Sequence, residues 1–325
     1  MILLLNTGLA SPIGDMENDL YYINAPLGGV TNQQFYLNIA RDLSRINSKN
    51  EEITTRDGHV YGYMCNFKVT TTDATILRIF TAPNSWKMRN AFRKFHAYRD
   101  LMFEHAGVDK SEMGKYGKTI RPYLDRGDAA GGFTALPKWL NSDATEGEYD
   151  VGEWTHTQLA TTPIFTDAAV ISAETPWADA FDLHICEEND VTGNDSRASG
   201  YYTSVGMIHS YNLDRMEVVT PDATEILAGP TNPLAALISS GNQATGEVID
   251  IAKDQELEAP PYDIADDGHS IQCSQAAYGI QQSTGGTFSF NAFLPAGLAR
   301  FNLSADVACA LQVEVLGKVL CKDMA

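Results

Sequence analysis

The hydrophobic positions of this chain fall mostly in short runs that alternate with polar positions. Aromatic and β-branched residues recur at about every second position of 60–70, and a second run, 75–80, follows the Thr72-Asp73 turn. Alternate side chains of a strand lie on one face of a sheet. Both runs therefore predict strands, joined as a hairpin.

Similar runs recur along the rest of the chain. They predict further strands at 181–186, 202–210, 216–219, 287–293 and 311–315. Polar turns that contain glycine separate these runs, as at Thr192-Gly193-Asn194-Asp195. Many short strands between such turns indicate a mainly β protein, a sandwich or jelly roll, rather than alternating β-α units.

Residues 85–106 have a helical period instead. Five apolar residues share one face of this predicted helix: Met88, Phe92, Phe95, Met102 and Ala106. Asn84 or Ser85 can cap its N-terminus, and Gly107 stands where a C′ glycine belongs. A second, shorter helix is predicted at 233–238, ending near Gly241.

The formal charge of −19 is unevenly distributed. Residues 1–140 carry 17 basic and 14 acidic side chains, whereas residues 141–325 carry 6 basic and 28 acidic ones. The length suits two domains. We therefore predict a first jelly-roll domain at 1–160, containing the basic helix 85–106, and a second, acidic jelly-roll domain at 161–325.

Five widely spaced cysteines without a C-x-x-C predict buried free thiols rather than a disulfide framework or a zinc ribbon. A disulfide between Cys309 and Cys321 is the remaining alternative. The apolar start, Met1 to Leu5, stops at Asn6 and lacks a basic n-region, so no cleavable signal is expected. No run approaches the length of a membrane span.

Motifs of enzymatic chemistry are missing from the sequence. It has no G-x-S-x-G, no G-x-x-x-x-G-K-[ST] and no G-x-G-x-x-G that opens a helix. We expect no enzyme, no cofactor, no bound metal and no small-molecule substrate. The abundant carboxylates leave a paired-carboxylate hydrolase open, and four tryptophans could form a sugar-stacking platform or core anchors: Trp86, Trp139, Trp154 and Trp177.

Three groupings resemble metal ligands but have a simpler interpretation. His96, Asp100 and Glu104 recur every fourth residue of the helix, a pattern that favours a surface ladder of hydrogen bonds and ion pairs. His184 and Cys186 share one strand face and predict a core or interface pair. The segment 263–268 departs from the calcium-loop spacing, so it predicts a polar turn, with calcium as the lesser alternative.

Basic residues in and after the predicted helix are the main candidates for an interaction surface. The six candidates are Lys87, Arg89, Arg93, Lys94, Arg99 and Arg121. They could face a neighbouring acidic subunit, the headgroups of a membrane or a genome. The alternative is the ordinary solvated face of a helix that packs on the core.

The segments 81–96 and 114–124 carry a family resemblance. The start Pro83-Asn84-Ser85-Trp86, the arginine-rich amphipathic helix and the segment Arg121-Pro122-Tyr123 resemble major capsid proteins of small tailless icosahedral viruses of microbes, in the double jelly-roll lineage. A basic N-terminal arm, common in single jelly-roll capsid proteins, is missing from this sequence.

The resemblance implies two jelly-roll sandwiches side by side and a structural virion protein. It implies homotrimers with a pseudo-sixfold outline that assemble into an icosahedral shell, made in the host cytoplasm and located in the virion capsid. Neighbouring capsomers, penton or minor capsid proteins, and an internal membrane or genome would be the partners. The alternatives are a carbohydrate-active or carbohydrate-binding β-sandwich and a viral spike or adhesin.

Overall fold

The chain forms two compact units, each built from separate stretches of sequence. Unit 1 takes Met1–Ala82, Gly131–Thr155 and Ser274–Ala325, and unit 2 takes Pro83–Ala130 and His156–Cys273. In this computed structural model, the residues described are 17–24, 28–29, 32–109, 119–131, 133–140, 146–150, 156–157, 159–160, 180–187, 204–216, 272–281 and 286–321. The units do not follow the boundary predicted near residue 160.

Unit 1 contains two four-stranded antiparallel sheets. Its strands are β1 (Asp19–Asn24), β2 (Gln33–Asn38), β3 (Tyr61–Thr71), β4 (Thr75–Thr81), β5 (Lys138–Leu140), β6 (Glu146–Glu148), β10 (Ser274–Gln281), β11 (Thr287–Pro295), β12 (Leu298–Leu303) and β13 (Cys309–Leu320). Sheet A has the order β1-β13-β3-β11, and sheet B has the order β10-β4-β12-β2. A separate hairpin joins β5 to β6.

The eight strands of the two sheets pair in the order of one long hairpin that is folded over. Each of the first four strands is antiparallel to one of the last four: β1 to β13, β2 to β12, β3 to β11 and β4 to β10. The tip of this hairpin is the connection from Thr81 to Ser274, which contains the whole of unit 2 and the β5–β6 hairpin.

Aromatic side chains fill the space between the sheets. The Phe67 ring of sheet A lies 5.6 Å from the Phe301 ring of sheet B, centroid to centroid. Phe301 also stacks on Phe35 at 5.1 Å, and Phe67 stacks on Phe290 at 5.3 Å. Inward positions of β3 alternate with exposed ones, as a half-buried strand requires. The sandwich therefore has a packed interior.

Helix α1 (Ile39–Ile46) follows β2 directly and is fixed to the sandwich by a buried polar cluster. The Asn38 side chain caps it by accepting a hydrogen bond from the Arg41 amide at 3.1 Å. Asp42, fully buried, accepts hydrogen bonds from the Tyr22 hydroxyl and from Arg41 Nε, both at 2.7 Å. These contacts connect β1 to α1.

Unit 2 contains three helices and three short strands among its described residues. These elements are α2 (Trp86–His105), α3 (Arg126–Ala129), α4 (Met207–Met216), β7 (Leu159–Ala160), β8 (Ala180–His184) and β9 (Ser204–Gly206). Strand β8 is antiparallel to β7 and parallel to β9. Helix α2 packs on α4, where the Trp86 and Tyr211 rings meet edge to face at 6.2 Å.

The prediction of a mainly β chain is confirmed, as are the strands predicted near 60–70, 75–80, 181–186, 287–293 and 311–315. The hairpin predicted for the first two is wrong, because β3 lies in sheet A and β4 in sheet B. The predicted helix 85–106 is confirmed within one residue: the Ser85 side chain accepts from the Met88 amide, and Gly107 has a φ of +71°. The predicted strand 202–210 is wrong beyond Gly206, where α4 begins. The strand predicted at 216–219 is wrong at Met216, which is the last residue of α4, and its other residues lie outside the described residues. The helix predicted at 233–238 and the segment 263–268 also lie outside them.

Candidate assembly surfaces

Five of the six basic candidates are buried, so they do not form an outward basic face. The exposed fractions are 8% for Lys87, 7% for Arg89, 9% for Lys94, 3% for Arg99 and 6% for Arg121. Arg93 alone among the six is exposed. This corrects both sequence interpretations of α2, because a solvated face and a phosphate-binding face each require these charges at the surface.

Contacts inside unit 2 accommodate the buried charges. Lys94 Nζ donates a hydrogen bond to the Ser210 carbonyl at 2.9 Å, which ties α2 to α4. Arg99 donates to its neighbour Asp100 through Nε at 3.0 Å and Nη2 at 2.6 Å. An ionised group that leaves water needs such partners, since an uncompensated buried charge is strongly unfavourable.

Two further basic residues of α2 are held close to its N-terminus. Arg89 Nη1 donates to Asn84 Oδ1 at 3.1 Å, and Lys87 Nζ lies 5.9 Å from the centroid of the Trp86 ring. The long aliphatic stems of lysine and arginine can cover apolar surface while their heads find polar or aromatic partners. The basic residues of α2 thus act mainly in packing within the chain.

His96 is buried on the same helix, with an exposed fraction of 4%. Neither ring nitrogen has a hydrogen-bond partner among the residues that the structure describes. Burial and the neighbouring Arg99 lower the pKa of His96 to about 4, against the opposing influence of Asp100. The ladder predicted for His96, Asp100 and Glu104 is wrong, because His96 points into the unit rather than along its surface.

His184 and Cys186 are both fully buried, as the prediction of a core pair requires. Cys186 lies beside Cys273, and the contact between the thiols together with burial raises its pKa well above the ordinary value. All five cysteines are free thiols. A disulfide between Cys309 and Cys321 was the alternative in the sequence analysis. Cys309 begins β13 and Cys321 follows its end, so at the rise of a strand the two residues lie about 40 Å apart, too far to be bonded.

Large apolar side chains are exposed on the outer faces of both sheets, a feature that the sequence analysis did not identify. On sheet B, Tyr278 and Ile280 of β10 are 52% and 51% exposed. On sheet A, Met64 of β3 is 38% exposed, and Leu316 and Leu320 of β13 are 52% and 49% exposed. Every second residue of these strands points outward, so strand parity is the signal that identifies such positions.

Trp139 forms a smaller exposed feature on the β5–β6 hairpin. Its ring lies against Gly147, where an added Cβ would come within 2.3 Å of Cζ2. Its Nε1 donates to the Glu148 carbonyl at 3.2 Å, and 39% of the side chain is exposed. Glycine at 147 therefore allows the indole to lie flat on the neighbouring strand.

Within the described part of the chain, no three His, Cys, Asp or Glu residues are grouped closely enough to hold a metal ion. No helix there combines the length and apolar character needed to cross a membrane. Comparison with models of protein families, with curated proteins and with solved structures returned no match.

Proposed function

We propose that this chain is a structural virion protein, a major capsid protein that self-assembles into a closed shell. The observation that carries the proposal is the strand pairing of unit 1. Eight strands in two sheets, paired β1–β13, β2–β12, β3–β11 and β4–β10, correspond to a jelly roll, an architecture that capsid proteins share with lectins and cupins.

The interior of the sandwich favours a structural role over the other uses of this architecture. The tilted Phe67–Phe301 pair joins the two sheets, and stacked phenylalanines continue from it within each sheet, so aromatic side chains occupy this part of the interior. We therefore expect binding at outer surfaces and connections. A shell needs such surfaces, because each copy contacts several neighbours.

The finer form of the proposal, a double jelly roll in trimers with a pseudo-sixfold outline, requires a second sandwich. The described residues of unit 2 form a three-stranded sheet and helices rather than two four-stranded sheets. The proposal therefore rests on the single sandwich of unit 1. Imaging of the capsomer outline would distinguish one sandwich per chain from two.

The test is the mass and shape of the purified chain in solution. Light scattering on a size-exclusion column gives the mass, and negative-stain imaging of the same fractions gives the shape. Compact trimers of three 35.5 kDa chains, hexagonal tiles or shells are expected. A monomer at every salt and protein concentration would overturn the proposal, and an elongated trimer with two different ends would favour the spike alternative.

One observation favours the carbohydrate-binding alternative, namely the exposed Trp139 indole. Flat aromatic rings at a surface are suited to stacking against apolar faces of ligands. Acidic residues flank it on the paired strand, at Glu146 and Glu148. Polysaccharide binding that is lost in Trp139→Ala, while the far-ultraviolet circular dichroism is unchanged, would support this alternative. Absence of binding to a broad polysaccharide panel would count against it.

A further inference from the structure

Strand β10 is the end strand of sheet B and lacks the usual protection of a sheet edge. Among the described residues, β4 is its only paired neighbour. Its sequence, Ser274–Gln281, contains no charged residue and no proline, and a bulge interrupts it only near Gln275. Natural proteins commonly protect edge strands with charges, prolines, bulges or a covering segment, since a free edge pairs with other chains.

The opposite end of sheet B is covered by the chain itself. The Tyr36 amide of β2 donates to the Phe133 carbonyl at 2.8 Å, and the Ala135 amide donates to the Tyr36 carbonyl at 2.9 Å. In sheet A, β1 begins with the exposed Asp19, and β11 ends at Pro295. Among the described residues, β10 alone of the four end strands combines an unpaired edge with large exposed apolar side chains.

The two faces of β10 differ in a way that suits pairing. Tyr278 and Ile280 point outward and are about half exposed. Gly279, between them, faces inward, where an added Cβ would lie 3.0 Å from the Phe288 ring. The register to β4 is regular from Ala277 to Gln281. This segment thus presents a straight edge with an apolar outer face.

Electrostatics identify the partner. Two copies that each carry a charge of −19 repel one another unless they meet where acidic groups are absent. The four strands of sheet B contain Arg78 and Arg300 and no acidic residue. An uncharged strand can pair with its own copy across a two-fold axis without opposing like charges.

We propose that β10 pairs edge to edge, antiparallel, with β10 of a second copy of this chain. Sheet B then continues across the interface as one eight-stranded sheet. Main-chain hydrogen bonds of 277–281 supply the attachment, and Tyr278 and Ile280 of the two copies pack side by side on the outer face. This contact rests on the proposed self-assembly and names one surface that the self-assembly uses.

The test compares the wild type with Ile280→Lys and with the matched control Leu316→Lys. Ile280 and Leu316 are equally exposed, at 51% and 52%, but Leu316 lies on sheet A. Sedimentation velocity over a hundredfold concentration range measures the dissociation constant of the dimer. We expect Ile280→Lys to weaken dimerisation by about tenfold or more, because both copies lose an apolar pair and gain facing charges. Leu316→Lys should dimerise as the wild type does.

Hydrogen exchange supplies a second measurement that does not depend on a variant. Those amides of 277–281 that point away from β4, at alternate residues, should become protected as the protein concentration rises, whereas the amides of β2 should not change. A wild type that stays monomeric, or a dimer that both lysine variants weaken equally, would overturn the inference. Dimers without shells would overturn the proposed function alone, and shells that form from Ile280→Lys would overturn the β10 contact alone.

Discussion

Replacing His96 with leucine should stabilise the protein, and the gain should grow in acid. The imidazole is 4% exposed and neither nitrogen has a hydrogen-bond partner. A buried polar group without a partner costs about 1–3 kcal/mol, so leucine, which has a similar volume and no polar atoms, should raise the free energy of unfolding by that amount at pH 7.

The acid-dependent part follows from the pKa of His96. Burial and Arg99 lower this pKa from 6.5 to about 4. Between these values the unfolded chain binds a proton that the folded chain does not, so the stability of the wild type falls as the pH decreases through this window. At about 1.4 kcal/mol for each tenfold difference in proton affinity, the full loss is about 3 kcal/mol. Above pH 6.5 the imidazole is neutral in both states, so the wild type keeps all of the stability that it loses in acid.

Urea unfolding at several pH values between 7 and 4 measures both parts. Fluorescence of Trp86, on the same helix, reports on unit 2 when the other three tryptophans are replaced by phenylalanine in every protein compared. The control His96→Gln cannot titrate but keeps buried polar atoms, so it should remove the acid dependence without the gain at pH 7. If the difference between wild type and His96→Leu stays constant from pH 7 to 4, the argument from titration is refuted. If His96→Leu is less stable than wild type at pH 7, the argument from unpaired nitrogens is refuted.

Three further predictions test the packing of the two units. Asp42→Ala should lower the free energy of unfolding by about 1–3 kcal/mol in urea titrations, because it leaves the buried Tyr22 hydroxyl without its acceptor and removes one acceptor of the half-buried Arg41. Arg93→Glu, at an exposed position, should change stability by about 0.5 kcal/mol at most, whereas Lys94→Glu should unfold helix α2, as measured by circular dichroism. Gly62→Ala should cost about 1–3 kcal/mol, since its Cβ would lie 2.1 Å from Phe293 Cζ, and the cost should largely vanish in a Phe293→Ala background in a thermal double-mutant cycle.

The sequence predicted those elements whose signals are local. Helix α2 was located within one residue because Ser85 caps one end and Gly107 follows the other. The segment 202–210 was assigned wrongly because its short apolar run fits a strand or a buried helix equally well, and packing decides between them. For a short apolar run, local patterns thus separate helix from strand only where capping residues accompany the period.

The burial of the basic residues was not predictable from the period of α2. A helical pattern identifies the most apolar face, but it does not show that a second helix covers the adjacent faces. In unit 2, α4 brings the Ser210 carbonyl to Lys94, and this contact joins residues more than a hundred positions apart. The division into units was hidden for the same reason, because β4 finds its partner β10 only after the long connection that contains unit 2.

The topology changes the meaning of the charge asymmetry. Thr81 and Ser274 are paired residues of adjacent strands, so the long connection between them begins and ends at neighbouring positions of sheet B. Residues 141–273 of that connection carry 25 acidic and 3 basic side chains, whereas residues 274–325 carry three of each. The negative charge therefore belongs to the connection and not to the C-terminal half as a whole. Since residues 274–325 add no net charge, the sandwich can supply contacts between copies while the connection keeps the same molecule strongly acidic elsewhere.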